Sequence, residues 1–256
     1  MDEKMINKRG QITIFIIVAI AIVGAVIFLF LFRKPAILSV PVEENPGLFL
    51  QKCIREETLK AVNKMLPQGG FIEPKNYKIY ENNNVEYLCY NEGYYGPCIN
   101  QHPMYINELR AELINYLKPR VEECFSSLKS ELQKRNIGVS TGSDSEIEVE
   151  LMKERIEVIA TKKISIIKDD GTNNFERFET IVVSDLYGLA NVAIEAANME
   201  GKYCSFEYVG YMLLRPELDI SKFTMSDGTK IYLIENKRTR EKLKIAIRGC
   251  VAPPGI

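Results

Sequence analysis

The chain has 256 residues and a formal net charge of only −1, because 33 lysines and arginines balance 34 aspartates and glutamates. This balance excludes the strongly basic surface typical of nucleic-acid-binding proteins, and no nucleic-acid partner is predicted. A single histidine limits any histidine-based triad to one position, and the sequence predicts no catalytic residue, metal or cofactor.

An uncharged apolar run covers residues 12–32 and follows the basic head at residues 1–11. About 20 apolar residues in a helix span the hydrocarbon core of a bilayer, so this run predicts a single transmembrane helix. Residues 33–47 hold three prolines and are expected to form a short extended tether. The membrane is therefore an expected partner, and residues 48–256 are expected to form one domain beyond it.

The junction of the head and the apolar run reads Lys8-Arg9-Gly10-Gln11. This pattern resembles the class III signal peptide of archaeal type IV pilins and archaellins. The resemblance implies that a prepilin peptidase cuts between Gly10 and Gln11 and that the apolar segment stays on the mature protein. It also implies contact with further copies of the chain or with other pilin-like subunits. A signal anchor that is never cut is the alternative.

Three stretches of the tail are also similar to uncharacterised archaeal envelope proteins, which implies a location and no activity. They are residues 96–103, 121–125 and 250–255.

Two helix patterns come first in the tail. Asn45 and Pro46 form a helix start, with asparagine as the cap and proline in the first turn, and Pro67 with Gly69-Gly70 ends this helix. An apolar stripe that repeats every three or four residues predicts a second, longer helix, which Pro119 is expected to kink. The stripe consists of Leu109, Leu113, Leu117, Val121, Phe125, Leu128 and Leu132.

Strand patterns dominate after residue 136. Residues 138–145 are expected to form a polar loop, and the alternating residues 146–151 begin a block of strands. A third helix is predicted from Ser184 to about Glu200, and Asp227-Gly228 is typical of a two-residue hairpin turn. The predicted fold is α+β, with a transmembrane helix followed by an extracytoplasmic domain of two or three helices and an antiparallel β-sheet.

All six cysteines lie in the tail, which favours three disulfides in an oxidising compartment. The expected location is therefore the cell membrane, with the N-terminus in the cytoplasm and the C-terminal domain outside. Six reduced, buried cysteines in a cytoplasmic domain are the alternative.

Six cysteines allow fifteen connectivities, of which we predict one from position. Two cysteines are separated by a Gly96-Pro97 bend, two flank the C-terminal strands, and two lie on the apolar sides of the first two helices. These three predicted pairs are Cys89–Cys98, Cys204–Cys250 and Cys53–Cys124.

Seven of the 13 tyrosines fall within residues 77–105, around Cys89 and Cys98. Tyrosine combines apolar area with a polar tip at a low entropic cost, which suits contact surfaces. Packing of the same rings against the long helix is the alternative. The residues assigned to the contact surface are Tyr87, Tyr90, Tyr94 and Tyr95.

The predicted function is that of a membrane-anchored, pilin-like cell-envelope or surface protein that acts by binding or assembly, without catalysis. The alternative is a membrane-tethered extracytoplasmic hydrolase or ligand-binding enzyme centred on Cys98 and His102. A pocket around His102 with a carboxylate in reach would favour this alternative. Residues 138–142 match the G-x-S-x-G pattern of a nucleophile elbow, but a helix precedes them and a strand follows, which is the reverse of that motif.

Overall fold

The computed structural model describes residues 45–168 and 171–251, together with Val18, Ala19, Ile22 and Val23. The chain divides into two compact units, Met1–Pro41 and Val42–Ile256. The head, the cleavage site at Gly10 and Gln11, and nearly all of the apolar run and the tether lie outside the described residues. The predictions for the head, the cleavage site and the tether stay predictions, and the fold below is that of the second unit.

The structure corrects the predicted transmembrane helix. None of the helices in the described part of the chain is long and apolar enough to cross a membrane. Residues 45–168 and 171–251 form an α+β fold with four α-helices and two sheets, where two or three helices and one antiparallel sheet were expected.

The first helix, α1 (Pro46–Met65), begins at the predicted residue. The side chain of Asn45 accepts a hydrogen bond from the backbone N–H of Leu48 at 3.0 Å, which satisfies one of the free donors in the first turn. The helix continues into a 3₁₀ turn (Leu66–Gln68), and Gly69 ends it with a φ of +72°. Its buried apolar face includes Leu50, Ile54, Ala61, Val62 and Met65.

The second helix, α2 (Tyr105–Lys134), continues through Pro119. All seven residues of the predicted apolar stripe are buried, with exposures of 2% or less. This stripe packs against α1, and a disulfide joins the two helices between Cys53 and Cys124, whose Cα atoms are 6.0 Å apart.

Two shorter helices lie in the second half of the domain. The helix α3 (Leu186–Tyr203) is the one that the sequence predicts, and it buries one face completely. The helix α4 (Tyr208–Leu214) was not predicted and has no fully buried residue.

Within residues 45–168 and 171–251, ten strands make up the two sheets. They are β1 (Tyr77–Tyr80), β2 (Asn83–Tyr90), β3 (Ile99–Asn100), β4 (Gly138–Thr141), β5 (Glu146–Met152), β6 (Arg155–Lys168), β7 (Gly171–Val183), β8 (Leu218–Thr224), β9 (Lys230–Asn236) and β10 (Lys242–Arg248).

The first sheet has the strand order β1–β2–β10–β9–β8, and β3 pairs with β2. Strands β2 and β10 run parallel, with Ala246 opposite Tyr87, whereas the other pairs are antiparallel. The hairpin between β8 and β9 turns at the predicted place, but its loop has three residues, Ser226-Asp227-Gly228, where two were predicted. The N–H of Met225 donates to the carbonyl of Thr229 at 2.8 Å, and Gly228 ends the turn with a φ of +79°. The parallel pair brings residues near the two ends of the domain together.

The second sheet is built around the long strand β6. Strand β7 pairs along one side of β6, while β5 and β4 pair in turn along the other side. The register shifts between Thr161 and Ile164, where β6 passes from one short partner to the next. Strand β4 replaces the start of the loop expected at residues 138–145, and β7 was not predicted.

One hydrophobic cluster links the helices to both sheets. Helices α1 and α2 pack on the second sheet through β7 and β5, and α3 packs on the first sheet through β2 and β10. Three connecting segments are therefore each anchored on a packed element. They lie between β2 and β3, before α2 and before α3.

Candidate functional site

A short loop between β2 and β3 carries the most exposed part of the tyrosine-rich segment. We call residues 91–97 the tyrosine loop. Tyr94 is 51% exposed and Tyr95 is 72% exposed, and Ile99, the second residue after the loop, is 71% exposed. The disulfide between Cys89 and Cys98 closes the base of the loop, with the two Cα atoms 5.3 Å apart.

Hydrogen bonds fix the tyrosine loop on the first sheet. The backbone N–H of Asn91 donates to the carbonyl of Arg248 at 2.7 Å, and the guanidinium of Arg248 donates back to the carbonyl of Asn91 at 2.5 Å. The N–H of Cys250 donates to the carbonyl of Gly96 at 2.8 Å. The loop is therefore attached to the end of β10 at both of its ends.

A glycine makes this attachment possible. A Cβ atom on Gly249 would lie 2.6 Å from the backbone nitrogen of Cys98 and 2.7 Å from its Cβ atom. Real side chains do not approach this closely, so any other residue at 249 would push β10 away from the disulfide.

The four tyrosines assigned to a contact surface fall in different environments. Tyr87 is 5% exposed, and its hydroxyl shares a 2.9 Å hydrogen bond with Thr229 in the core. Tyr90 is half-buried and its ring lies 4.9 Å from that of Tyr87. Of these four, only Tyr94 and Tyr95 present large exposed rings, so the predicted contact surface reduces to the tyrosine loop.

The other four cysteines form two disulfides, and none of the six is free. Cys53–Cys124 joins α1 to α2, and Cys204–Cys250 joins the end of α3 to the segment after β10, with Cα atoms 5.7 Å apart. With Cys89–Cys98, these are the three pairs that position in the sequence predicts.

His102 lies between two carboxylates just before α2. Its Nδ1 atom is 2.5 Å from Oε2 of Glu108, and its Nε2 atom is 3.4 Å from Oε1 of Glu86, a distance that suits an ion pair and is long for a hydrogen bond. Glu86 is almost fully buried and also accepts backbone hydrogen bonds from Lys75 at 2.7 Å and Asn76 at 3.2 Å.

A cavity of about 240 Å³ adjoins this cluster. The ring of Phe71 forms one wall, 4.7 Å from the imidazole of His102. Burial lowers the pKa of His102, but the carboxylates of Glu86 and Glu108 outweigh this effect and raise the pKa overall. The two anions therefore favour the protonated imidazolium more than in a free histidine, and an imidazolium cannot act as a general base.

Comparison with known proteins assigns this arrangement to no family. No family model, no curated protein and no solved structure matches the chain.

The pocket beside His102, with two carboxylates in reach, is the feature that would favour the alternative enzyme, but Cys98 cannot serve as its nucleophile. Cys98 is bonded to Cys89, so it offers no thiolate to attack a substrate or bind a metal. Within the described residues, no three side chains of His, Cys, Asp or Glu are arranged to hold a metal ion. Ser140 of the G-x-S-x-G pattern lies in β4, without the strand–turn–helix that a nucleophile elbow needs.

Sequence reasoning missed the partners of His102. Glu86 lies in the middle of β2, sixteen positions earlier in the chain, and no periodic pattern connects the two. Glu108 offered the only local signal, because it lies in the first turn of a helix that starts just after His102.

Proposed function

We propose that the domain at residues 45–251 is a disulfide-stabilised, extracytoplasmic binding domain of the cell envelope that acts by binding or assembly, without catalysis. Its contact surface is the tyrosine loop, and its partner is another copy of the chain or a related subunit. The observation that carries this proposal is the exposure of Tyr94 and Tyr95 on a loop closed by a disulfide.

The rigidity of the loop supports a binding role. Ordering a mobile loop on contact costs free energy, and a loop that is already held in one conformation avoids most of that cost. Here Cys89–Cys98 closes the loop, and the bonds from Arg248 and Cys250 hold it on the sheet. Exposed tyrosines on such a loop bury large area with little loss of side-chain freedom.

Three disulfides within one domain support an extracytoplasmic, oxidising compartment. Such bonds persist in oxidising surroundings and are rare in the cytosol. Export through a class III signal peptide is part of this proposal, and N-terminal sequencing tests it. The mature chain is expected to begin at Gln11, and Gly10→Val is expected to block the cut. An unprocessed Met1 in cells that contain the peptidase would contradict this route.

The experiment for the contact surface is Tyr94→Ala combined with Tyr95→Ala in the full chain. Sedimentation analysis measures self-association, and thermal unfolding measures stability. We expect the double change to weaken self-association at least tenfold and to leave the melting temperature almost unchanged, because both rings are exposed.

The matched control is Tyr77→Ala combined with Phe223→Ala. These rings are 42% and 49% exposed, and both lie outside the tyrosine loop. The control is expected to associate like the wild type. The proposal fails if the loop change leaves association intact, if the control weakens association equally, or if the wild type stays monomeric at every concentration measured.

A further inference from the structure

A second well-formed cleft lies far along the sequence from the tyrosine loop. It has a volume of about 600 Å³, within the range of roughly 300–1,000 Å³ typical of small-molecule sites. Its walls come from the turn between β5 and β6, the first turns of α3, the end of α4 and the ends of β8 and β9.

Two buried polar side chains form the floor of this cleft. Asp185 is 5% exposed and Asn236 is 4% exposed, and the amide of Asn236 donates to Oδ2 of Asp185 at 2.6 Å. The other end of the Asn236 amide accepts the backbone N–H of Arg238 at 2.9 Å, so its orientation is fixed. The only side-chain hydrogen bond described for the Asp185 carboxylate is to Oδ2, and Oδ1 faces the first turn of α3.

A glycine inside α3 makes room for this carboxylate. A Cβ atom on Gly188 would lie 2.8 Å from the carboxyl carbon of Asp185. Glycine is less favourable than alanine in a helix, so local helix stability does not account for it at this position. Its presence is explained by the carboxylate that it accommodates.

Tyrosine side chains contribute to the walls. Tyr187 is half-buried in the first turn of α3, and Tyr211 lines the cleft from α4. Burial and a hydrogen bond to Glu195 raise the pKa of the Tyr211 phenol to about 12, so it stays a neutral donor at physiological pH. These groups offer an apolar ring face beside hydrogen-bonding tips.

The charges of the cleft nearly cancel, which limits the class of ligand. The basic side chains are Lys153, Arg215 and Arg238, and the acidic ones are Glu154, Asp185, Glu195 and Glu217. Arg238 forms an ion pair with Glu154. This mixture does not select an anion such as phosphate or a simple cation, and with Val192 and Leu218 as its only aliphatic residues the lining does not suit a lipid.

We propose that the cleft between α3, α4 and the β8–β9 ends binds a small neutral saccharide. Asp185 accepts hydrogen bonds from sugar hydroxyls, Arg215 and Asn191 donate to them, and the ring of Tyr187 packs against the C–H face of the sugar. This site is separate from the tyrosine loop and does not depend on the proposed function.

The test is saturation-transfer NMR on the full chain with four probes: glucose, galactose, mannose and N-acetylglucosamine. At least one probe is expected to bind, and inorganic phosphate is expected neither to bind nor to compete. Failure of all four sugars to bind would overturn the proposal, as would displacement of the sugar by phosphate.

Variants connect the binding to the cleft. Gly188→Ala is expected to weaken sugar binding at least tenfold, because the new methyl group displaces the Asp185 carboxylate. Gly210→Ala is the matched control, since its Cβ would meet only Glu207 Cγ, at 3.6 Å. Asp185→Asn supplies a second test with little change of shape and is expected to weaken binding about fivefold or more. Binding that is unaffected by Asp185→Asn, or weakened equally by Gly210→Ala, would place the sugar elsewhere and contradict the proposal.

Discussion

The tyrosine loop and the Asp185 cleft use opposite arrangements of polar and apolar groups. In the loop, backbone polar groups are paired with the protein, and the rings of Tyr94 and Tyr95 are left exposed. In the cleft, the buried group is a carboxylate, and burial raises the pKa of Asp185. A rigid apolar tip suits a protein surface, whereas a polar floor suits a small hydroxylated ligand. The two regions therefore predict different responses to substitution.

The largest expected effect separates the two kinds of tyrosine in one segment. Tyr87→Ala removes a buried ring and leaves the Thr229 hydroxyl without its partner. Aromatic truncations in a core cost about 3–5 kcal/mol, so chemical denaturation should show a large loss of stability. A loss comparable to that of the Tyr94→Ala and Tyr95→Ala pair would show that Tyr87 is not in the core.

The second prediction tests the brace of the tyrosine loop. Replacing Cys89 and Cys98 by serine should lower the free energy of unfolding by about 2–3 kcal/mol, because the disulfide no longer restricts the unfolded chain. The freed loop should also weaken self-association. Sugar binding at the Asp185 cleft should persist, and its loss would show that the two regions are coupled.

The third prediction concerns His102 and the loss of stability as the pH rises. Its pKa is raised in the folded state, so its contribution to stability is complete below about 6.5 and is lost as the pH rises through the folded pKa. Denaturation of the wild type at several pH values should show this loss. His102→Gln should be less stable at pH 6 and should lack that part of the pH dependence. Parallel curves for the two proteins would contradict the imidazolium assignment.

The smallest expected effect is a gain in stability, caused by a substitution in the cleft. Because burial raises the pKa of Asp185, the folded state is penalised as the pH rises above about 3.8. Asp185→Asn keeps an acceptor for Asn236 and removes this penalty, so it should raise the melting temperature at pH 7. The gain should disappear near pH 3. A lower melting temperature at pH 7 would show that the charge stabilises the fold.

Local patterns predicted much of this fold. The Asn45 cap and the apolar stripe of α2 depend on neighbours in sequence, and the structure confirms both. The Asp227-Gly228 pattern located the β8–β9 hairpin correctly, although its loop is one residue longer than predicted. The cysteine pairs followed from the same helix faces and strand flanks.

Long-range features escaped prediction because no local pattern encodes them. The parallel pair of β2 and β10 joins segments some 160 positions apart, and the polar first half of β7 hides its strand character. Helix α4 is short and apolar throughout, which fits a strand equally well. The Asp185 cleft collects residues from five elements, so only the folded chain reveals it.

Peptide mapping under non-reducing conditions, on full-length protein taken from its native cells with thiols blocked at lysis, tests the central claim most directly. The account predicts three linked peptide pairs, Cys53–Cys124, Cys89–Cys98 and Cys204–Cys250, and no blocked thiol. Blocked thiols at all six positions would contradict both the oxidising compartment and the closed tyrosine loop.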